Sequence, residues 1–192
     1  NRRDIVDRNG NILATDVNLY DVGIRPKLLN AKEKKNLLIK LSLLLSDLDI
    51  EEIKKKLDKN NFFWLEKRLT PKEKDQLWLI GNKAFEFNSK QSRIYPQKNL
   101  FSHILGQTDD INNGISGFEK AFNKDLKNNE KIKNPLHLTL DSNIQYLIRE
   151  ELAKAQQDFQ SIGSAAILMK VDNGEILSLI SLPDYDLNQR IS

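Results

Sequence analysis

The chain has 192 residues, 30 basic and 27 acidic side chains, a net charge of +3 and no cysteine. That near balance of charge is unlike a strong nucleic-acid binder, which must neutralise several phosphates, and the absence of cysteine excludes disulfides and thiolate metal sites. The longest apolar stretch, Leu37 to Leu48, is broken by Lys40, Ser42, Ser46 and Asp47 and falls short of the ~20 residues that cross a bilayer. Because the chain starts at Asn1 and goes straight into charged residues, it reads as a fragment excised from a longer protein, with any upstream targeting or anchoring segment removed.

In chain order, Ile5 to Leu13 places apolar residues on both sides of Asn9-Gly10, a pair that tolerates a tight turn, which predicts a hairpin. Tyr20, Val22 and Ile24 alternate as a strand that stops before Pro26. Helical spacing follows from Ala31 to Asp58, with leucines 37, 38, 41, 44, 45 and 48 on one stripe and a second helix starting after Asp49, capped together with Glu52. Phe62 to Leu65 predicts a strand, and Thr70-Pro71-Lys72-Glu73 a helix start with a reciprocal cap.

Phe85 to Pro96 reads as extended, and Gly106, Gly114 and Gly117 punctuate turns. Ser116 and Glu119 have capping-box spacing ahead of a helix that carries Phe118, Ala121, Phe122 and Leu126. The polar, lysine-rich stretch Asn128 to Pro135 is the candidate boundary between two modules, residues 1–134 and 135–192. Beyond it, Leu136, Leu138 and Leu140 predict a strand, and Ser142 with Gln145 opens a long helix with Ile144, Leu147, Ile148, Leu152, Ala155 and Phe159 on one face. Two almost continuously apolar arms, Ala165–Val171 and Ile176–Leu182, flank Asp172-Asn173-Gly174 and predict a strand pair covered on both faces in its complete context. The pattern as a whole is α+β.

Four separated pieces resemble, in order, the class B penicillin-binding proteins. Arg2, Ile5, Asp7, Arg8, Asn9 and Gly10 with Leu13-Ala14 are similar to the opening signature of that family; Arg93, Tyr95 and Pro96, then His103 to Gly106, Gly114, Gly117 and Glu119, to its second block. Thr139-Leu140-Asp141 with Gln145 resembles the entry to the transpeptidase domain, and Gly174 to Leu177 with Ser181 to Asn188 its first hairpin and exit. Arg3 stands where the family has glycine, and Leu187 where it has proline.

The resemblance implies a non-catalytic pedestal, or dimerisation, domain over 1–134 and the first helix and hairpin of a transpeptidase domain over 135–192. It implies a place on the extracytoplasmic face of a bacterial membrane, and partners among the polytopic glycan polymerase and the division or elongation proteins, with self-association possible, no nucleic acid and no cofactor. The short span between the first two motif blocks favours a division-type relative. The reactive elements of the family are Ser-x-x-Lys, Ser-x-Asn and Lys-Thr-Gly, and none occurs in these 192 residues.

Residue by residue, Asp7 beside its Asn-Gly turn reads as a carboxylate bonding its own backbone. For Glu119, capping with Ser116 is the favoured reading, and an ion pair with Arg93 or Arg2 the sharper one; in the second, Arg2, Arg8, Arg93 and Glu119 clamp a joint between modules. His103 and His137 lack neighbours at metal-ligand spacing and read as structural. Phe62, Phe63, Trp64 and Trp78 read as core rather than as a docking patch. The lysines at 32 to 35 and 54 to 56 read as solvated helix faces, with attraction to anionic lipid headgroups as the alternative.

Overall fold

The computed structural model describes residues 2–44, 49–127 and 134–189. Most of the candidate boundary stretch, residues 128–133, lies outside the described residues, as do Leu45 and Leu48 of the leucine stripe. Contacts divide the chain into two compact units, one made of residues 1–17 with 93–192, the other of residues 18–92 inserted between them.

The first unit begins with strand β1 (Ile5–Val6), which pairs antiparallel with the start of β2 (Ile12–Ile24) through Ile5 to Ala14 and Val6 to Ile12. On its other side β1 runs parallel to β5 (Leu136–His137), shorter than the expected strand. The pairing continues beyond β5 as single bonds, Leu138 N to Val6 O at 2.9 Å and Arg8 N to Leu140 O at 2.9 Å. Ile5, Leu13, Ala14, Phe101, Leu105, Leu126, Leu138 and Leu140 are buried in one cluster here, and each of the isoleucine, leucine and phenylalanine side chains contributes roughly 1.5–3 kcal/mol by leaving water.

Helix α4 (Ser102–Leu105) precedes a crossing of two loops at Gly106 and Gly117. Both glycines have positive φ, +69° and +56°, and a β-carbon on Gly106 would run into the Ser116 carbonyl, so no other residue fits this crossing without moving backbone. The single helix expected after Ser116 is two short ones, α5 (Gly117–Ala121) and α6 (Asn123–Lys127), interrupted at Phe122.

Helix α7 (Ser142–Asp158) has its N-cap one residue earlier than expected: Asp141 accepts from the amides of Asn143 and Ile144. Its expected apolar face is at best half-buried, and Leu147 and Phe159 are exposed; the buried residues of α7 are Ser142 and Gln145. The hairpin of β6 (Ser164–Met169) and β7 (Ile176–Leu182) forms a two-stranded antiparallel sheet from Ser164–Leu182 to Met169–Ile176. Packing on α7 buries alternate residues of β7, while Ile167, Leu168 and Met169 of β6 face solvent.

In the second unit the far half of β2 pairs antiparallel with β3 (Phe63–Leu69), with Tyr20 opposite Leu69 and Ile24 opposite Phe63. β4 (Phe85–Ile94) also pairs with β2. Helices α1 (Ala31–Leu44), α2 (Ile50–Asp58) and α3 (Pro71–Trp78) bury Leu37, Leu41, Ile53, Leu57 and Leu77 against Val22, Ile24 and Leu69. Thr70 and Glu73 make the full reciprocal cap, with Pro71 in the first turn, and Asp49 accepts from Glu52 N at 3.0 Å. The aromatic expectation is corrected: Phe63 packs on this core, but Phe62, Trp64 and Trp78 are exposed. Phe62 and Trp64 meet edge to face at 5.0 Å with the Arg25 guanidinium over Phe62, and Trp78 leans on Phe87 with the Lys74 ammonium over its ring. These rings satisfy each other and nearby cations at the surface instead of entering the core.

Candidate functional site

All twelve motif residues, Arg2, Asp7, Arg8, Gly10, Arg93, Tyr95, Pro96, Gly106, Gly117, Glu119, Asp141 and Gln145, belong to the first unit. Three of them meet in a buried ion cluster. Arg2, just ahead of β1, donates from Nε and Nη2 to Glu119 Oε2 at 3.0 and 2.7 Å. Arg93, near the end of β4, donates to Glu119 Oε1 at 2.7 Å and to Asp16 Oδ1 at 3.1 Å. Asp16 Oδ2 in turn accepts from the Arg2 amide at 2.7 Å and the Asn112 side chain at 3.0 Å.

Two guanidiniums thus face two carboxylates with essentially no solvent access. Such a cluster is tolerable because charge balances and the remaining donors are used. Arg2 Nη1 donates to Asn112 O and Asn123 Oδ1, and Arg93 Nη2 donates to Arg3 O. Glu119 therefore divides its two oxygens between two arginines, and Ser116, the N-cap of α5, makes no side-chain cap bond; its hydroxyl accepts from Gln107 N instead. The capping-box reading of this pair is corrected.

Arg8 takes no part. Its guanidinium lies 3.5 Å from Glu175 in a half-exposed pair. Nor does the cluster include any residue of the expected second module, since Arg2, Asp16, Arg93 and Glu119 all lie within residues 2–119. Asp16, the second carboxylate, carried no sequence signal except that two buried arginines require two anions.

The bonds that do tie the opening strand to α7 run through Asp7. Its Oδ1 accepts from the amides of Asn9 and Asn11, as expected of a turn carboxylate. Its Oδ2 accepts from the Ser142 hydroxyl at 2.6 Å and the Ser142 amide at 3.1 Å, at the N-terminus of α7, where the helix dipole favours an anion. Burial pushes the carboxyl up, but the bonds from Ser142 and Asn11 outweigh it and bring the pKa down to about 2. Asn9 Nδ2 adds a bond to Asp141 at 3.0 Å, and Gly10, at φ +83°, closes the turn.

Gln145 ties α7 to β7 and to the Leu100 backbone. Its amide donates to Leu100 O at 2.9 Å and Leu179 O at 2.8 Å, and accepts from Ser178 Oγ and Leu179 N at 2.8 and 3.0 Å. Pro96 sits in the turn closed by Lys98 N to Tyr95 O. Tyr95 is buried, and burial together with the charge of Glu119 raises its hydroxyl above the usual range. Asn188 grips both backbone groups of Tyr95, at 3.0 and 2.9 Å, and the neighbouring Leu187 is buried in the core.

His103 and His137 both line an apolar groove of about 430 Å³ with Phe118, Leu138 and Ile176. His103 Nε2 lies 3.0 Å from Pro183 O with its ring edge-on to Tyr185. Among the described residues no group of three His, Cys, Asp or Glu side chains is placed to hold a metal, and no helix is long and apolar enough to cross a membrane. The arrangement holds backbone segments together, with Asp7, Asp16 and Glu119 each engaged by several donors.

Residues 1–136 match the family described as the penicillin-binding protein dimerisation domain. The chain is 30% identical to the probable peptidoglycan D,D-transpeptidase FtsI of Caulobacter vibrioides, over 98% of this chain and 32% of that protein. It is 29% identical to the probable peptidoglycan D,D-transpeptidase PenA of Neisseria meningitidis, over 98% of this chain and 37% of that protein. It therefore spans about a third of the length of these curated relatives. Among solved structures, the complex of penicillin-binding protein PBP2 and MreC from Helicobacter pylori contains a chain that superposes with a TM-score of 0.58 at 24% identity, covering 97% of this chain and 42% of that one. A peptidoglycan synthetase of Bifidobacterium adolescentis superposes with a TM-score of 0.54 at 20% identity, covering 96% and 43%. With the family match spanning the ion cluster and the opening hairpin alike, the chain belongs to the penicillin-binding protein dimerisation-domain family, as the pedestal portion of a class B member.

Proposed function

We propose that this chain is the non-catalytic scaffold of a membrane-anchored peptidoglycan D,D-transpeptidase, acting on the outer side of the bacterial cytoplasmic membrane in cell-wall synthesis and of the division type. One observation carries the reading: the likeness to D,D-transpeptidases runs along 98% of this chain, yet Ser-x-x-Lys, Ser-x-Asn and Lys-Thr-Gly are all missing from it. Acylation needs a serine with a base and oxyanion donors at hydrogen-bond distance, so the part present here supports and positions.

A second domain boundary near residue 135 fits this role, with the pedestal before it and the first elements of a transpeptidase domain after it. The ion cluster suits a support, because bidentate guanidinium pairing fixes orientation as well as distance. As partners we propose the polytopic glycan polymerase and division or elongation proteins; the Helicobacter relative was solved with MreC, and a comparable docking role for this chain extends that case.

A fluorescent penicillin should leave the 192-residue chain unlabelled. A labelled band that disappears with excess unlabelled drug would overturn the non-catalytic reading. Pull-down with the cognate polymerase should enrich it over an unrelated extracytoplasmic domain, and equal recovery of the two would remove the proposed partner.

A further inference from the structure

The two units differ in charge. The second, residues 18–92, holds sixteen Lys and Arg against eleven Asp and Glu, net +5; the first holds fourteen against sixteen, net −2. The overall +3 is thus concentrated on the inserted unit. Lys32, Lys35, Lys54, Lys55, Lys59, Lys67 and Lys72 in this unit form no ion pair with another described residue.

The same unit exposes large apolar side chains at two neighbouring helix ends. On α1, Leu43 is 81% and Ile39 51% exposed; at the end of α3, Leu79 is 83% and Trp78 61% exposed. The two ends are joined, since Lys40 Nζ donates to Ile80 O at 3.2 Å, and Ile39 and Lys40 line one open groove with Ile80 and Gly81. Lys35 on α1 and Lys72 at the start of α3 are exposed close by in sequence.

We propose that this face of the second unit docks on an anionic lipid surface, with Leu43, Ile39, Leu79 and Trp78 entering the interfacial layer and Lys35 and Lys72 meeting the headgroups. Leucines that project this far present no matching concavity to a rigid protein partner, whereas a fluid interface accepts apolar tips and an indole without shape complementarity. The excess positive charge supplies the complementary half, because ammonium groups near an anionic leaflet are attracted to it over about a Debye length.

The test uses the whole chain with Trp64→Phe, which leaves Trp78 as the sole indole. Vesicles of phosphatidylglycerol should sediment the protein and shift Trp78 emission to the blue; vesicles of phosphatidylcholine should do neither, and raised salt should weaken binding. Leu43→Glu with Leu79→Glu should cut partitioning at least tenfold at unchanged far-ultraviolet circular dichroism. Quenching of Trp78 by brominated lipid, read without the leucine changes, gives the same answer should that double variant misfold. No partitioning, partitioning alike to both lipids, or partitioning that leaves Trp78 unquenched would overturn the proposal; the last would point to another face, and the first would leave the leucines to a protein segment.

Discussion

Glu119 has no solvent exposure and two arginines on its two oxygens. Removing it would strand two guanidiniums in the interior, and breaking a buried pair from one side costs about 3–5 kcal/mol. Glu119→Gln should therefore destabilise the first unit by several kcal/mol in a urea titration followed by circular dichroism; a loss under ~1 kcal/mol would mean that water reaches the cluster. Fluorescence is the wrong probe, because Trp64 and Trp78 both belong to the other unit. Asp7 offers a second residue-scale expectation. Its folded pKa of about 2 lies below the ordinary 3.8, so its contribution, about 2 kcal/mol, is complete above the unfolded value and disappears as pH falls through the folded one. Acid unfolding followed between pH 4 and 2 should lose that slope in Asp7→Asn, whose amide would also face the Ser142 donors with a donor of its own; an unchanged slope would remove Asp7 from the account. The sequence disclosed half of what Asp7 does. Its local bonds to Asn9 and Asn11 follow from the turn, but Ser142 lies 135 residues away, and nothing near either residue announces the pairing.

At the scale of elements, legibility follows the range of the forces. The Thr70 to Glu73 start of α3 could be read directly because cap, proline and returning glutamate act within one turn. Ser116 and Glu119 have the same spacing, yet the carboxylate is taken by Arg2 and Arg93 from distant positions, since two buried guanidiniums demand a counter-charge that a neutral cap amide does not. The stripe on α7 misled similarly: the helix is anchored by Ser142 and Gln145 while Leu147 and Phe159 stay in solvent. Gln145→Leu should accordingly cost about 3 kcal/mol or more, because Leu100 O, Ser178 Oγ and the Leu179 backbone lose partners together. Amide exchange at Leu179 checks it, since protection equal to wild type would show the strand held by packing alone.

Across the whole molecule, the α+β class and the order of motif blocks were legible, and the interleaving of the two units was not. A linear reading looks for boundaries at polar stretches such as 128–135, whereas contacts gather residues 1–17 with 93–192 around the insertion. Among the described residues, the exposed β6 side chains Ile167, Leu168 and Met169, on a two-stranded sheet, leave apolar surface and open backbone edges. Light scattering should record concentration-dependent self-association of the 192-residue chain, relieved by Ile167→Lys with Met169→Lys. A monomer at every concentration would contradict this.

The discontinuity of the first unit also sets an order of events. The Arg2 guanidinium must wait for the Glu119 carboxylate, 117 positions later, so during synthesis the opening hairpin can form early while its buried arginine still lacks that partner. The inserted unit is contiguous and can condense first, and in doing so it draws Val17 and Arg93 toward each other and shortens the loop that the later pairing must close. Damage to residues 18–92 would then surface as slow maturation of a core in which none of them takes part.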